Sequence, residues 1–125
     1  MPKTILLIDD SPTIRSVIKV YLMTRKFEFL DAENGERGLQ LVRLLPVDLV
    51  IADVKMPVID GISFLRQVRA DTRPQLKNLP IILLTGDKSE ELRKEGLGAG
   101  ATAFLHKPIS NTQLCEAVDK IIPPG

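Results

Sequence analysis

Short runs of consecutive apolar residues alternate along this chain with longer stretches in which apolar residues recur every three or four positions. Ile5-Leu6-Leu7-Ile8, Leu49-Val50-Ile51-Ala52 and Ile81-Ile82-Leu83-Leu84 contain no polar position, the pattern of parallel strands covered by helices on both faces. Phe27-Glu28-Phe29-Leu30-Asp31 and Ala103-Phe104-Leu105-His106 mix apolar and polar residues, which suits strands at the two edges of a sheet. Between the strands, Ile14, Val17, Ile18, Tyr21 and Leu22 follow helical spacing, with Ser11 placed to cap the helix and Pro12 in its first turn. Leu114, Ala117, Val118 and Ile121 repeat that spacing after Ser110 and Gln113, which stand as in a capping box. Two more helices are expected around Leu39 and Val42 and around Ile62, Leu65 and Val68. The stretch Ser89 to Gly96 has Leu92 as its one clear apolar anchor and runs into Gly96, Gly98 and Gly100, so a marginal fourth helix is expected there. Asp71 to Leu79 reads as a long loop with no assignable role.

Five strands alternating with five helices through short connections predict an α/β fold, a doubly wound parallel sheet with right-handed crossovers. Placing the three apolar strands centrally and the two mixed ones at the edges gives the flavodoxin-like strand order 2-1-3-4-5. A chain of 125 residues has the size of one domain, so residues 1–125 are read as a single unit.

Composition narrows the function classes. Hydrophobic residues make up 44% and charged residues 26%, which excludes disordered and fibrous classes. A net charge of +1 provides no field for nucleic acid or an acidic membrane. The apolar run after Met1-Pro2-Lys3-Thr4 is too short for a signal-peptide core or a membrane span, so a cytoplasmic location is expected. One cysteine and one histidine cannot make a zinc set. Cys115 reads as a passive helix residue, and His106 as a surface residue of an edge strand. Ile121-Ile122-Pro123-Pro124-Gly125 reads as the beginning of a linker.

The chemistry concentrates at strand ends, where an open α/β sheet places its site. Strand one ends in Asp9-Asp10, strand three in Asp53, strand four in Thr85 and strand five in His106-Lys107-Pro108. Carboxylates gathered on one rim repel one another by roughly 4 kcal/mol per pair at about 4 Å and an effective dielectric near 20. A cation must join them. Magnesium suits the task because it takes hard oxygen ligands, one or two carboxylates together with waters and phosphate oxygens. Lys107 adds a second point charge, and Thr85 a hydroxyl donor. Each feature alone has a plain structural reading: a turn at Lys-Pro, helix caps at Thr85 and at Asp9-Asp10. Their occurrence together on four strand ends favours a phosphoryl site.

Asp9-Asp10-Ser11, Asp53 followed by Met56-Pro57 and Asp60-Gly61, Thr85-Gly86 and Lys107-Pro108 resemble the receiver domains of two-component response regulators, of the stand-alone, chemotaxis-regulator type. The resemblance covers essentially the whole chain. It implies that Asp53 is the phosphoacceptor and that Mg2+, or Mn2+, is held by Asp9, Asp10, Asp53 and the backbone carbonyl of Lys55. Thr85 would contact the phosphoryl group and report its arrival, while Lys107, joined to Pro108 by a cis bond, would pair with the phosphoryl oxygens. The implied partners are a sensor histidine kinase or phosphotransfer protein and a downstream protein target. The implied output is a switching surface on the fourth helix, fifth strand and fifth helix of a monomer able to dimerise when phosphorylated. Self-catalysed phosphorylation and dephosphorylation of Asp53 would be its only chemistry, so it is not expected to be a turnover enzyme.

Positions that vary around such a site are here Lys55, two after the acceptor, and Asp87, two after Thr85. They either pair across the pocket mouth, restricting water and lengthening the phosphorylated lifetime, or stand as two solvated side chains. The switch position three before the lysine is Phe104, either a ring that moves inward with Thr85 or plain core packing. Three other functions were open: a flavin or nucleotide module, a docking receiver that ignores phosphorylation, and an aspartyl phosphatase. Asp9-Asp10 would repel the bare phosphate of the first; the intact acidic set with Lys107 speaks against the second. No aspartate follows two residues after Asp53 as the third requires. A receiver fragment of a larger regulator remains a further reading.

Overall fold

Strands that are apolar throughout need cover on both faces, and the computed structural model, which describes residues 2–123, shows how this chain provides it. In chain order the elements are β1 (Thr4–Ile8), α1 (Pro12–Leu22) with a 3-10 turn (Met23–Arg25), β2 (Glu28–Ala32), α2 (Gly35–Leu44), β3 (Leu49–Asp53), α3 (Gly61–Arg69), α4 (Pro74–Lys77), β4 (Ile81–Thr85), α5 (Glu90–Gly98), β5 (Ala103–His106) and α6 (Asn111–Ile121). The strands form one parallel sheet in the order β2-β1-β3-β4-β5, as the hydrophobic pattern predicts.

Side-chain alternation divides the core in two. Leu6, Ile8, Val50, Ala52, Ile81 and Leu83 face α2 and α3, where Leu39, Val42, Ile62, Phe64, Leu65 and Val68 cover them. Ile5, Leu7, Leu49, Ile51, Ile82 and Leu84 face α1 and α6, packing on Ile18, Leu22, Leu114 and Val118. The register aligns the carboxyl ends: Ile8 lies beside Ala32 and Ala52, Asp53 beside Leu84, and Thr85 beside His106. Residues just beyond these positions therefore emerge on one rim.

Each longer helix begins on a side-chain cap, Ser11, Asn34, Asp60, Ser89 and Ser110 accepting from the amides of Ile14, Arg37, Ser63, Leu92 and Gln113. Ser11 and Ser110 thus cap as expected. Among the described residues there are six helices where the sequence predicts five. The additional one is the four-residue α4, inside the stretch 71–79 read as a loop. Pro74 presets its first turn, and Leu76 with Leu79 buries into the core; one turn is too short to carry a helical period. β2 begins one residue later than expected, after the 3-10 turn that ends on the left-handed Lys26.

His106 is a second correction. It is half-buried, with its ring at 72° to that of Phe104 and 5.8 Å away. Its Nε2 is buried without a hydrogen-bond partner. Strand alternation puts His106 on the same face as Phe104, so it follows that ring beneath the helical layer. Cys115 sits half-buried in α6 with its Sγ 3.1 Å from Asn111 Oδ1. Among the described residues, no helix is long and apolar enough to cross a membrane. Of the stretch read as a linker, Pro124 and Gly125 lie outside the described residues.

Arg25 forms a two-pronged ion pair with Asp119 of α6, at 2.8 and 2.9 Å. The guanidinium's hydrogen bonds hold the Asp119 carboxyl below its ordinary value of 3.8. A carboxyl depressed in the folded state adds stability above its unfolded value and loses it as pH falls through the folded one. The pair is partly exposed, which limits its contribution to under about 1 kcal/mol. Asp119→Asn is expected to lower the unfolding free energy in urea by that much at neutral pH, the difference closing as the pH drops below 3.8; a difference undiminished in acid would contradict this.

In the connection from β3 to α3, Val58 has φ 72° and is 74% exposed. The left-handed conformation costs an L-residue roughly 1–2 kcal/mol, and a β-branched one is the worst placed to adopt it. Asparagine tolerates it. Val58→Asn should therefore raise the unfolding free energy by about 1 kcal/mol, measured by denaturant titration; an unchanged or lower value would count against strain at this turn.

Candidate functional site

The aligned carboxyl ends of β1, β3, β4 and β5 build a rim whose polar residues are held from below. Asp9 continues β1 by one residue, donating its amide to Ala32 O at 3.1 Å. Its carboxylate is oriented by the start of α1: Oδ1 accepts from the Ser11 amide at 2.9 Å. The Arg15 guanidinium donates to the Asp9 carbonyl and pairs with Asp31 at 3.3 Å. Asp10 is exposed beside it.

Asp53 ends β3 and is 7% exposed. Its Oδ1 accepts from the Lys55 amide at 3.3 Å. The chain then loops out and returns, the Gly61 amide donating to Val54 O at 2.8 Å. A Cβ on Gly61 would lie 2.3 Å from the Asp53 carbonyl, so only glycine lets α3 start against the strand end. Thr85, fully buried at the end of β4, accepts at Oγ1 from the Asp87 amide at 3.0 Å.

Lys107 is anchored by its own amide, which donates to Thr85 O at 2.7 Å, and is followed by a cis bond to Pro108, as the resemblance implies. Its ammonium lies 3.1 Å from Asp9 Oδ2 and 3.1 Å from Asp53 Oδ2. Carboxylate oxygens of Asp9, Asp10 and Asp53 come within 4.8 Å of one another. The sequence-derived acidic set and Lys107 are thus brought together from the ends of three strands, β1, β3 and β5, that are distant in the chain.

The electrostatics of this cluster are unbalanced. Burial pushes the Asp9 carboxyl above its ordinary range, against the pull of the Ser11 amide and of Lys107, and the like charge of Asp53 adds to the rise. Burial alone would lower the Lys107 ammonium, but hydrogen bonds and charge from Asp53 and Asp9 outweigh it and raise the ammonium above its usual value. In an isolated ion pair the acid would fall as the base rises. Here one ammonium serves two carboxylates and does not fully compensate Asp9. A hard divalent cation suits the donor set: all-oxygen and acidic, with one exposed member.

Lys55 Nζ stands 3.8 Å from Asp87 Oδ2, with the lysine largely exposed, so the two side chains do approach across the mouth. Phe104 lies away from the rim. It pairs in register with Leu83, two residues below Thr85, and is buried in the core on the α2 and α3 face. Sequence reasoning missed how Asp87 is used: besides facing Lys55, its Oδ1 accepts from the Ser89 amide at 2.8 Å. The Asp-Lys-Ser spacing that permits this turn was legible, but nothing in it distinguishes a turn from solvated side chains. It also missed Arg15, whose contacts are not signalled by helical spacing.

Comparison with known proteins agrees with this geometry. The family model described as "Response regulator receiver domain" matches residues 5–119. Chemotaxis protein CheY-3 of Vibrio cholerae is 33% identical over 118 residues, covering 94% of this chain and 89% of that protein. Response regulator GtcR of Aneurinibacillus migulanus is 34% identical over 110 residues, covering 88% of this chain; the chain spans 43% of that longer relative. Among solved structures, Vibrio cholerae CheY4 superposes with a TM-score of 0.87 at 32% identity, covering 98% of this chain and 100% of the other. The receiver domain of the sensor histidine kinase PA1611 of Pseudomonas aeruginosa, determined with magnesium coordinated in its active-site cleft, gives 0.86 at 27% identity, covering 98% of each chain. Strand order, the acidic rim with its lysine, and a match over nearly the whole chain together establish that this protein belongs to the response-regulator receiver family of two-component signalling.

Proposed function

We propose that this domain accepts a phosphoryl group on Asp53 from a sensor histidine kinase or phosphotransfer protein and signals by protein contact. The observation that carries the reading is the Lys107 ammonium placed 3.1 Å from both Asp9 and Asp53, one cation against three clustered carboxylates. Asp9, Asp10, Asp53 and the Lys55 carbonyl would hold Mg2+ or Mn2+. When bound, the metal supplies charge neutralisation of the carboxylates and of phosphoryl oxygens.

The chain's own residues do the rest. A carboxylate oxygen of Asp53 attacks phosphorus, the bond from phosphorus to the donor breaks, and the donor atom leaves with the electron pair. Lys107 transfers its hydrogen bonding from the free Asp53 carboxylate to a phosphoryl oxygen, and Thr85 turns its hydroxyl toward another. Phosphoryl transfer needs positioning and charge stabilisation more than covalent help, which this arrangement provides. Hydrolysis reverses the state: water attacks the acyl phosphate, releasing inorganic phosphate and restoring the carboxylate. Each cycle resets the switch, and the domain acts as a signalling protein, not as a turnover enzyme. A cytoplasmic location is part of this proposal.

Output is assigned to the surface of α5, β5 and α6, where the weakly apolar α5 covers Phe104. Segments of low local stability are where switching motions are drawn from. A monomer that dimerises on phosphorylation is compatible with it.

Wild type incubated with acetyl phosphate and magnesium should gain the mass of one phosphoryl group, while Asp53→Asn, or wild type with the metal chelated, should not. A modified Asp53→Asn protein would sink the assignment. The 3.8 Å approach of Lys55 to Asp87 favours the gated reading of the pocket mouth. Lys55→Ala and Asp87→Ala should each accelerate loss of the phosphoryl group several-fold, followed by intact mass after donor removal; equal lifetimes in both variants and wild type would leave the pair as solvated side chains.

A further inference from the structure

Asp9 and Asp10 leave β1 where the sheet runs out of backbone partners. β2 stops at Ala32, whose carbonyl accepts the Asp9 amide at 3.1 Å. In a strand the N–H and C=O of one residue point to the same neighbour, so the Asp9 carbonyl faces the edge where β2 has ended. A carbonyl drawn out of water needs a donor, and Arg15 of α1 supplies one, its Nη1 donating to Asp9 O. The other side of the guanidinium faces β2, where Nε stands 3.3 Å from Asp31 Oδ1, with the Arg15 side chain only 16% exposed. Asp31 is shared: its Oδ2 accepts from Lys19 at 2.7 Å. One planar fork on the first turns of α1 thus bridges the ends of β1 and β2.

The carbonyl that Arg15 holds belongs to the peptide joining Asp9 to Asp10. The Asp9 carboxylate has supports of its own, the Ser11 amide at 2.9 Å and the Lys107 ammonium at 3.1 Å. Asp10 is the exposed member of the acidic cluster, and the plane of that peptide sets the direction in which its side chain leaves the backbone. Arg15 therefore acts on a cation at the cluster in two opposed ways. As a positive charge it repels the cation, and an Asp31 shared with Lys19 offsets only part of that charge. As a clamp it keeps the ligands in place, and loss of a group that holds a metal ligand from behind weakens metal binding by about 10–100-fold.

We propose that Arg15 is a positioning residue for the divalent cation of this site: by holding the Asp9 carbonyl against Asp31 it fixes the peptide that aims Asp10 into the cluster, and this clamping outweighs its repulsion. The proposal rests on the metal-assisted phosphoacceptor reading of the rim. It extends the site to Asp31 of β2, a strand that supplies no side chain to the acidic cluster.

Magnesium chloride titrated into the full chain, followed by the backbone amide resonances of Asp10, Asp53 and Lys55, reads the dissociation constant with no phosphodonor present. Arg15→Met should bind magnesium about tenfold more weakly than wild type; an arginine acting by charge alone would give the opposite sign. Arg15→Lys keeps the charge but lacks the fork that reaches carbonyl and carboxylate together, and should lose about as much. It also carries the test if the methionine variant does not fold. Lys19→Met takes a cation from the same Asp31 without touching Asp9, and because a partly exposed pair is worth little, it should leave the constant within about twofold of wild type. Unchanged or tighter binding in either Arg15 variant, or a weakening by Lys19→Met as large as theirs, overturns the positioning role and leaves the phosphoacceptor reading standing. Failure of wild type to bind magnesium overturns both.

Discussion

Electrostatic repulsion among carboxylates is the constraint on which this structure turns. Asp9, Asp10 and Asp53 are delivered to one rim by two adjacent central strands, and the sheet cannot form in this order without bringing them together. Bare proximity of such groups costs several kcal/mol at intermediate dielectric. The fold answers in part with Lys107, whose amide is bound to β4 and whose ammonium reaches back across the sheet to β1 and β3. The remaining imbalance shows in Asp9, whose carboxyl is pushed upward by burial despite its lysine. A site left short of positive charge suits a further cation, which the cluster of Asp9, Asp10 and Asp53 could hold.

Much of the rest of the domain serves to hold that imbalance in place. The two apolar layers make the strands rigid, and the parallel register sets their ends level. Local devices then aim individual groups. Ser11 and Arg15 orient Asp9, Gly61 permits α3 to begin beside Asp53, and Thr85 ties down both Lys107 and Asp87 through its carbonyl and its hydroxyl. Stability is distributed unevenly as a result. The central strands are sealed on both faces, while α5 rests on one glycine, one half-buried leucine and its attachments at the two ends. Marginal packing next to a charged site suits the proposed switching, because a strongly packed helix would not respond to a change of a few kcal/mol at the rim.

What the chain itself declared was its architecture and the composition of the rim. The three wholly apolar runs marked the central strands, since only a strand covered on both faces can lack polar positions; the mixed runs marked the edges. Asp9, Asp10, Asp53, Thr85 and Lys107 were legible because each directly ends or follows such a run, and strand ends are where an open sheet gathers its chemistry. The capped starts of α1 and α6 were legible for a similar local reason, serine standing just before a helical period.

Tertiary structure alone decided the remainder. α4 escaped notice because a single turn holds no periodicity and depends on Leu76 finding the core. His106 reads as a surface residue in the sequence because alternation says which face a side chain is on but not how far the helical layer extends over it. The approach of Lys55 to Asp87, the grip of Arg69 on Gly100, and the seating of Gly96 on Phe104 all join residues from different elements. Contacts of that kind arise from packing angles and loop paths that no local pattern encodes. Periodicity and strand-end chemistry are short-range properties written along the chain; distances between elements exist only once the whole sheet has closed its two cores.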